Sequence, residues 1–68
     1  MKKPTFEDVI RWFGSQQYLA ARLGIDRAAV NAWRHEGIPP ARAIHIEKIT
    51  GGELRAVDIV GLTENKNA

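Results

Sequence analysis

Not one cysteine occurs in this chain of 68 residues, and no other feature narrows its possible folds as much. Proteins this short often lean on disulfides or a thiolate-held metal when their core is too small. Both supports are excluded here, so packing alone must hold the chain, and the core must be compact and mostly helical. A second domain would leave neither half enough chain to bury a core. Residues 1–60 are therefore expected to form one domain, with 61–68 as a disordered polar tail. Hydrophobic residues at 44% and charged residues at 26% fit that picture and exclude the composition of a chain that stays unfolded.

Apolar spacing and breaker residues divide the chain into about five short helices. Thr5 suits an N-cap, with Asp8 three residues on as an imperfect capping box. Phe6, Val9, Ile10 and Phe13 then share one face until Gly14. Ser15 caps a second helix in which Leu19 and Leu23 form the buried ridge, and Gly24 ends it in a left-handed turn. Asp26 is placed to cap a third helix that runs to about Glu36, where Gly37 closes it. Ile38-Pro39-Pro40 starts a fourth, with Ala43, Ile46, Ile49 and Thr50 on one face and Gly51-Gly52 at its end. A short fifth helix is expected between Glu53 and about Ile59, although Val57-Asp58-Ile59-Val60 also suits a short edge strand paired across a dimer. No other strand pattern, repeat or low-complexity run is present.

The segment from Ser15 to Glu36 places the strictest demands on spacing. Ala20 must be small where the next helix crosses above it, and Gly24 must take positive φ. Ile25 plugs the turn, while Val30 and Trp33 bury the third helix against the second. Five positions satisfy one geometry, and the segment resembles the helix-turn-helix of the lambda-repressor-like superfamily. The resemblance implies an all-α DNA-binding domain whose third helix reads the major groove.

The outward face of the third helix carries Arg27, Ala28, Asn31, Ala32 and His35, the candidate base contacts. Arg27 suits a two-pronged contact to guanine, Asn31 an amide pair to adenine, and the two alanines a thymine methyl. Arg34 lies at the rim, better placed for phosphate. Amides at the start of the second helix, on Ser15, Gln16 and Gln17, form a positive helix end suited to phosphate, and Lys2 and Lys3 add a flexible cationic arm. The whole chain carries a net charge of +2. Between Ser15 and His35, three arginines, Arg22, Arg27 and Arg34, face Asp26 alone, a surplus equal to that of the whole chain.

The likeness extends outside the motif. Phe13-Gly14-Ser15-Gln16, Ile38-Pro39, Ile46-Glu47 and Thr50-Gly51-Gly52-Glu53-Leu54-Arg55 resemble the short all-helical Cro repressors of phages and prophages, over about residues 5 to 59. Regulators of the YdaS-like antitoxin kind share the pattern. The resemblance implies a sequence-specific repressor that binds a palindromic operator in double-stranded DNA, usually as a dimer, and blocks transcription. The alternative it leaves open is an antitoxin or interaction module that holds a partner protein and regulates its own promoter. Family members often continue after the Leu-Arg pair with Pro-Asp, whereas this chain has Ala56-Val57-Asp58. That departure falls where a dimer contact would lie.

Other classes of function find little support. A single serine, Ser15, is better used as a cap than as a nucleophile, and Glu47 has no second acid beside it, so no catalytic set forms. Glu47 is expected to pair with an arginine. His35 and His45 stand far apart without a cysteine, a poor start for a metal site, and no cofactor is implied. No run reaches the roughly 18 apolar residues of a membrane span, and Lys2-Lys3 lead into Thr5-Phe6-Glu7-Asp8 instead of an apolar leader. The chain is expected in the bacterial cytoplasm, associated with the nucleoid through DNA, without membrane or small-molecule substrate. Ile44, projecting away from the buried face of its helix, together with Leu54 or Val57 is expected to mark a weak homodimer contact that DNA assists.

Overall fold

Five helices make up the computed structural model, which describes residues 3–64: α1 (Phe6–Phe13), α2 (Gln16–Leu23), α3 (Arg27–Glu36), α4 (Pro40–Ile49) and α5 (Ala56–Ile59). The class is all-α, with no strand among the described residues. None of the helices is long and apolar enough to cross a membrane.

Local chemistry explains most of the boundaries. The Oγ1 of Thr5 accepts the Asp8 N–H at 3.1 Å while Asp8 Oδ2 accepts the Thr5 N–H at 3.0 Å, so both legs of the capping box close. Ser15 Oγ takes the Tyr18 N–H at 3.0 Å and starts α2. At the other end of α2, Gly24 is left-handed (φ 72°, ψ 32°). Its N–H reaches the Ala21 carbonyl at 3.2 Å, and the Ile25 N–H reaches Ala20 at 3.0 Å. That pair of bonds is the Schellman closure, and it turns the chain sharply into α3. Pro40 occupies the first position of α4, where its missing N–H costs nothing.

A single apolar core lies inside the five helices. Phe6, Val9 and Phe13 from α1 meet Leu19, Ala20 and Leu23 from α2, Val30 and Trp33 from α3, and Ala43 and Ile46 from α4. Ile38, Leu54 and Ile59 complete it. Thr50 is the one buried polar side chain among the described residues. Its Oγ1 donates to the Glu47 carbonyl at 3.2 Å and accepts the Leu54 N–H at 3.1 Å, so it enters the core with its hydrogen bonds made.

Several expectations meet a different arrangement. Asp26 holds the N-cap position of α3, but its side chain makes no capping bond. Glu47 caps α5 instead of pairing with an arginine, its Oε1 accepting the Ala56 N–H at 2.7 Å. This bond helps explain why α5 begins at Ala56 and not at Glu53. The four residues Val57 to Val60 form no edge strand, because one helical turn buries Ile59.

The segment expected to be a free tail from Gly61 is fastened as far as Glu64. Gly61 N–H donates to the Ile38 carbonyl at 2.7 Å, Ile38 N–H to Leu62 at 3.1 Å, and Glu64 N–H to Arg34 at 2.9 Å. Leu62 packs against the core, which supplies the apolar anchor that the polar composition of the tail hides. Residues 65–68 lie outside the described residues.

Gly37 permits this return. Its φ of 95° and ψ of 155° belong to a region almost reserved for glycine, and a Cβ there would stand 2.7 Å from the Gly61 carbonyl oxygen. Gly37→Ala is expected to cost about 1–3 kcal/mol from backbone strain alone, with the clash against Gly61 in addition. The urea midpoint should fall accordingly; an unchanged midpoint would mean that Gly61 does not rest on Gly37.

Candidate nucleic-acid interface

The sequence of α3 sorts its side chains cleanly. Val30 and Trp33 are buried on its inner side, and at about 100° per residue the opposite side must then hold residues 28, 31, 32 and 35, with residue 27 at its flank. Arg27, Ala28, Asn31 and His35 are all exposed, while Ala32 is half-buried. Together they offer a donor fork, an amide, an imidazole and two small residues that let the backbone approach a surface. A two-alanine strip with short polar neighbours matches the depth of a DNA major groove better than a long-chained, evenly charged surface would.

Beside this strip stands the start of α2. The first amides of a helix have no acceptor within it, and here they belong to Gln16 and Gln17 once Tyr18 has been taken by Ser15. Gln17 and Ser15 are exposed, and Gln16 is half-buried between α2 and α3. The helix-turn-helix residues Ala20, Gly24, Ile25, Val30 and Trp33 hold the two elements in place: Ala20, Val30 and Trp33 are buried, and Ile25 packs against the core. Lys3 is exposed at the start of the chain. Lys2, the other half of the expected cationic arm, lies outside the described residues.

Arg34 departs from its expected place as a rim cation. Nη1 donates to Glu64 Oε2 at 2.7 Å and to Glu7 Oε2 at 3.4 Å, and the guanidinium carbon stands 5.3 Å from the centre of the Phe6 ring. Only 23% of the side chain is exposed. Two carboxylates around one guanidinium cancel its charge and more, so this arginine adds no positive charge to the surface. The positive charge on the α3 strip thus rests on Arg27, while Arg22, on α2, stands 5.7 Å from the centre of the Tyr18 ring and donates to its hydroxyl at 3.3 Å.

Sequence reasoning misses three of these residues. By pattern, Glu7 is only a dipole-favouring acid, Tyr18 has no role, and Glu64 belongs to a tail. Glu7 leaves a trace, since it lies one residue from the inward face of α1. Glu64, 30 residues from its partner, leaves none.

On α4 and the segment around α5, Ile44, Val57 and Val60 are exposed at 52%, 67% and 44%. With Pro40, Ala43 and Ala56 they line a shallow, almost wholly apolar groove between α4 and α5. Leu54, expected to share this patch, is buried instead, and Val60 takes its place.

Sequence comparison finds relatives among transcriptional regulators. A family model described as the DNA-binding transcriptional regulator Cro matches residues 5–65. The chain is 45% identical over 49 residues to the regulatory protein cro of Salmonella phage P22, a match covering 72% of this chain and 79% of that protein. It is 35% identical over 48 residues to the repressor protein of division inhibition gene dicB of Escherichia coli (strain K12), covering 71% of this chain but only 63% of that relative. A third relative, the regulatory protein cro of Pseudomonas phage D3, is 30% identical over 57 residues, covering 79% of this chain and 77% of its own. No solved structure matches the chain with significance.

Proposed function

Because this chain belongs to the family of the DNA-binding transcriptional regulator Cro, we propose that it is a sequence-specific repressor that occupies a palindromic operator and keeps polymerase off the promoter. One observation carries the reading: α3 is divided into a buried edge, Val30 and Trp33, and an exposed edge of Arg27, Ala28, Asn31 and His35. In this reading α3 lies in the major groove, Arg27 and Asn31 read base edges, and Ala28, Ala32 and His35 line the contact. Ser15, Gln16 and Gln17 seat the start of α2 on a phosphate, with Lys2 and Lys3 reaching the backbone nearby. Arg34 is left out of the phosphate set. The protein acts by occupancy, with no catalytic step, in the bacterial cytoplasm on nucleoid DNA.

The apolar groove of Pro40, Ile44, Val57 and Val60 supports a homodimer. A patch of this size favours a weak contact that DNA completes by holding two subunits side by side. Two copies would then present their α3 helices about 34 Å apart, one turn of the duplex.

Selection from a randomised double-stranded DNA pool at about 150 mM salt, where purely electrostatic binding is weakened, tests the proposal. The expected product is an inverted repeat with half-sites one turn apart. Enrichment of a single unrepeated half-site would overturn the dimer. No enrichment at all would overturn sequence-specific repression and favour the other reading, in which the same apolar groove holds a partner protein.

A further inference from the structure

Arg34 is bound on one side by Glu7 and Glu64; on the other it holds Gln16. Both Nε and Nη2 donate to Gln16 Oε1, at 3.2 Å and 2.7 Å. A guanidinium has donors only, so the carboxamide atom facing it must be the oxygen, and this fixes which way the Gln16 amide is turned. Its nitrogen is thereby turned away from Arg34, and Nε2 donates to Asn31 Oδ1 at 3.4 Å. The constraint then passes on: with Oδ1 held toward Gln16, Asn31 keeps Nδ2 on the opposite side of its carboxamide.

We infer that Arg34 is a positioning residue, which sets the amide orientation of Asn31 through Gln16 and so decides which base Asn31 accepts. The inference rests on the repressor reading above and deepens it. Nδ2 donates to a purine N7. The second lone pair of Oδ1 then meets the neighbouring exocyclic group, accepting from the N6 amine of adenine and repelled by the O6 of guanine. Adenine is therefore preferred. An Asn31 free to turn its amide would donate both N–H groups to guanine instead, and the preference would shrink. Glu7 and Glu64 serve by holding the guanidinium, and the fastening of the Glu64 N–H to the Arg34 carbonyl at 2.9 Å keeps the clamp closed from the backbone as well.

Two variants test the inference in the full chain. Arg34→Met removes the clamp. The ratio of affinities for operators with adenine and with guanine at the pair read by Asn31 is expected to fall about 5- to 10-fold, while the dependence of binding on salt keeps its slope because no phosphate contact is lost. A slope lower by about one, with the ratio kept, would overturn the inference and make Arg34 a phosphate contact. Gln16→Glu keeps an acceptor for Arg34 but presents only oxygen to Asn31. The Asn31 amide is expected to turn over and donate to the introduced carboxylate, and the purine preference at that pair should be lost.

The turn-over is read without DNA, from the side-chain amide resonances of Asn31 in the free protein. A changed Asn31 signal in Gln16→Glu supports the relay. Resonances unmoved in that variant overturn it, whatever the DNA result. If the native chain selects no operator, the repressor reading fails, and the amide resonances still decide whether the relay exists.

Discussion

Trp33→Ala is expected to leave a protein that unfolds at the slightest addition of urea. The indole is buried in the core, and it is one of only two buried side chains that fasten α3 to the rest of the molecule. Truncating a buried tryptophan costs about 3–5 kcal/mol, whereas a chain of this length has about 3–10 kcal/mol in total. Most of the stability would go with one side chain. Circular dichroism through a urea titration measures it directly. Trp33→Phe, which refills most of the space, should recover the larger part of the midpoint. A Trp33→Ala variant with the native midpoint would show that α3 is not held by its inner edge.

Arg27→Ala and Asn31→Ala act on the opposite edge and should leave that midpoint alone, since both side chains are exposed. Their effect is expected in recognition. Each should lose about 1–3 kcal/mol of discrimination, roughly 5- to 150-fold, at one base pair of each half-site. Competition between the selected operator and its single-base variants reads the loss position by position. The two substitutions should relax different pairs, because the residues lie one helical turn apart and meet successive bases. If both variants keep the full discrimination, the assignment of base contacts to this edge is wrong.

The parts of the molecule legible in the sequence are those decided within a few residues. Thr5 and Asp8 form a capping box because they are three apart, and Gly24 closes α2 because a left-handed turn there needs only local backbone freedom. The division of α3 into Val30 and Trp33 inside, Asn31 and His35 outside, follows from helical period alone. Pattern misleads where a partner lies far along the chain. Arg34 looks like a free rim cation until Glu7, Gln16 and Glu64, from three different places, gather around it. Glu47 looks like half an ion pair because nothing near it shows that the α5 amides come within reach. The chain after Gly61 reads as polar and aperiodic, and a single leucine, Leu62, decides that it packs. Asp26 errs in the other direction: the right residue in the right place, yet its side chain makes no capping bond to the helix it heads.

The chain of contacts from Arg34 through Gln16 to Asn31 also has an evolutionary meaning. A regulator that changes its operator at the pair read by Arg27 can do so with one substitution, because the relay does not end on that side chain. Changing the pair assigned to Asn31 is harder, since a new residue there must still meet the Gln16 amide of the neighbouring helix, which Arg34, on the same helix as Asn31, holds in one orientation. Across diverging descendants of this protein, positions 16, 31 and 34 should therefore be replaced together, while position 27 drifts by itself. Operators recognised by such descendants would diverge quickly at one pair of the half-site and in steps at the other.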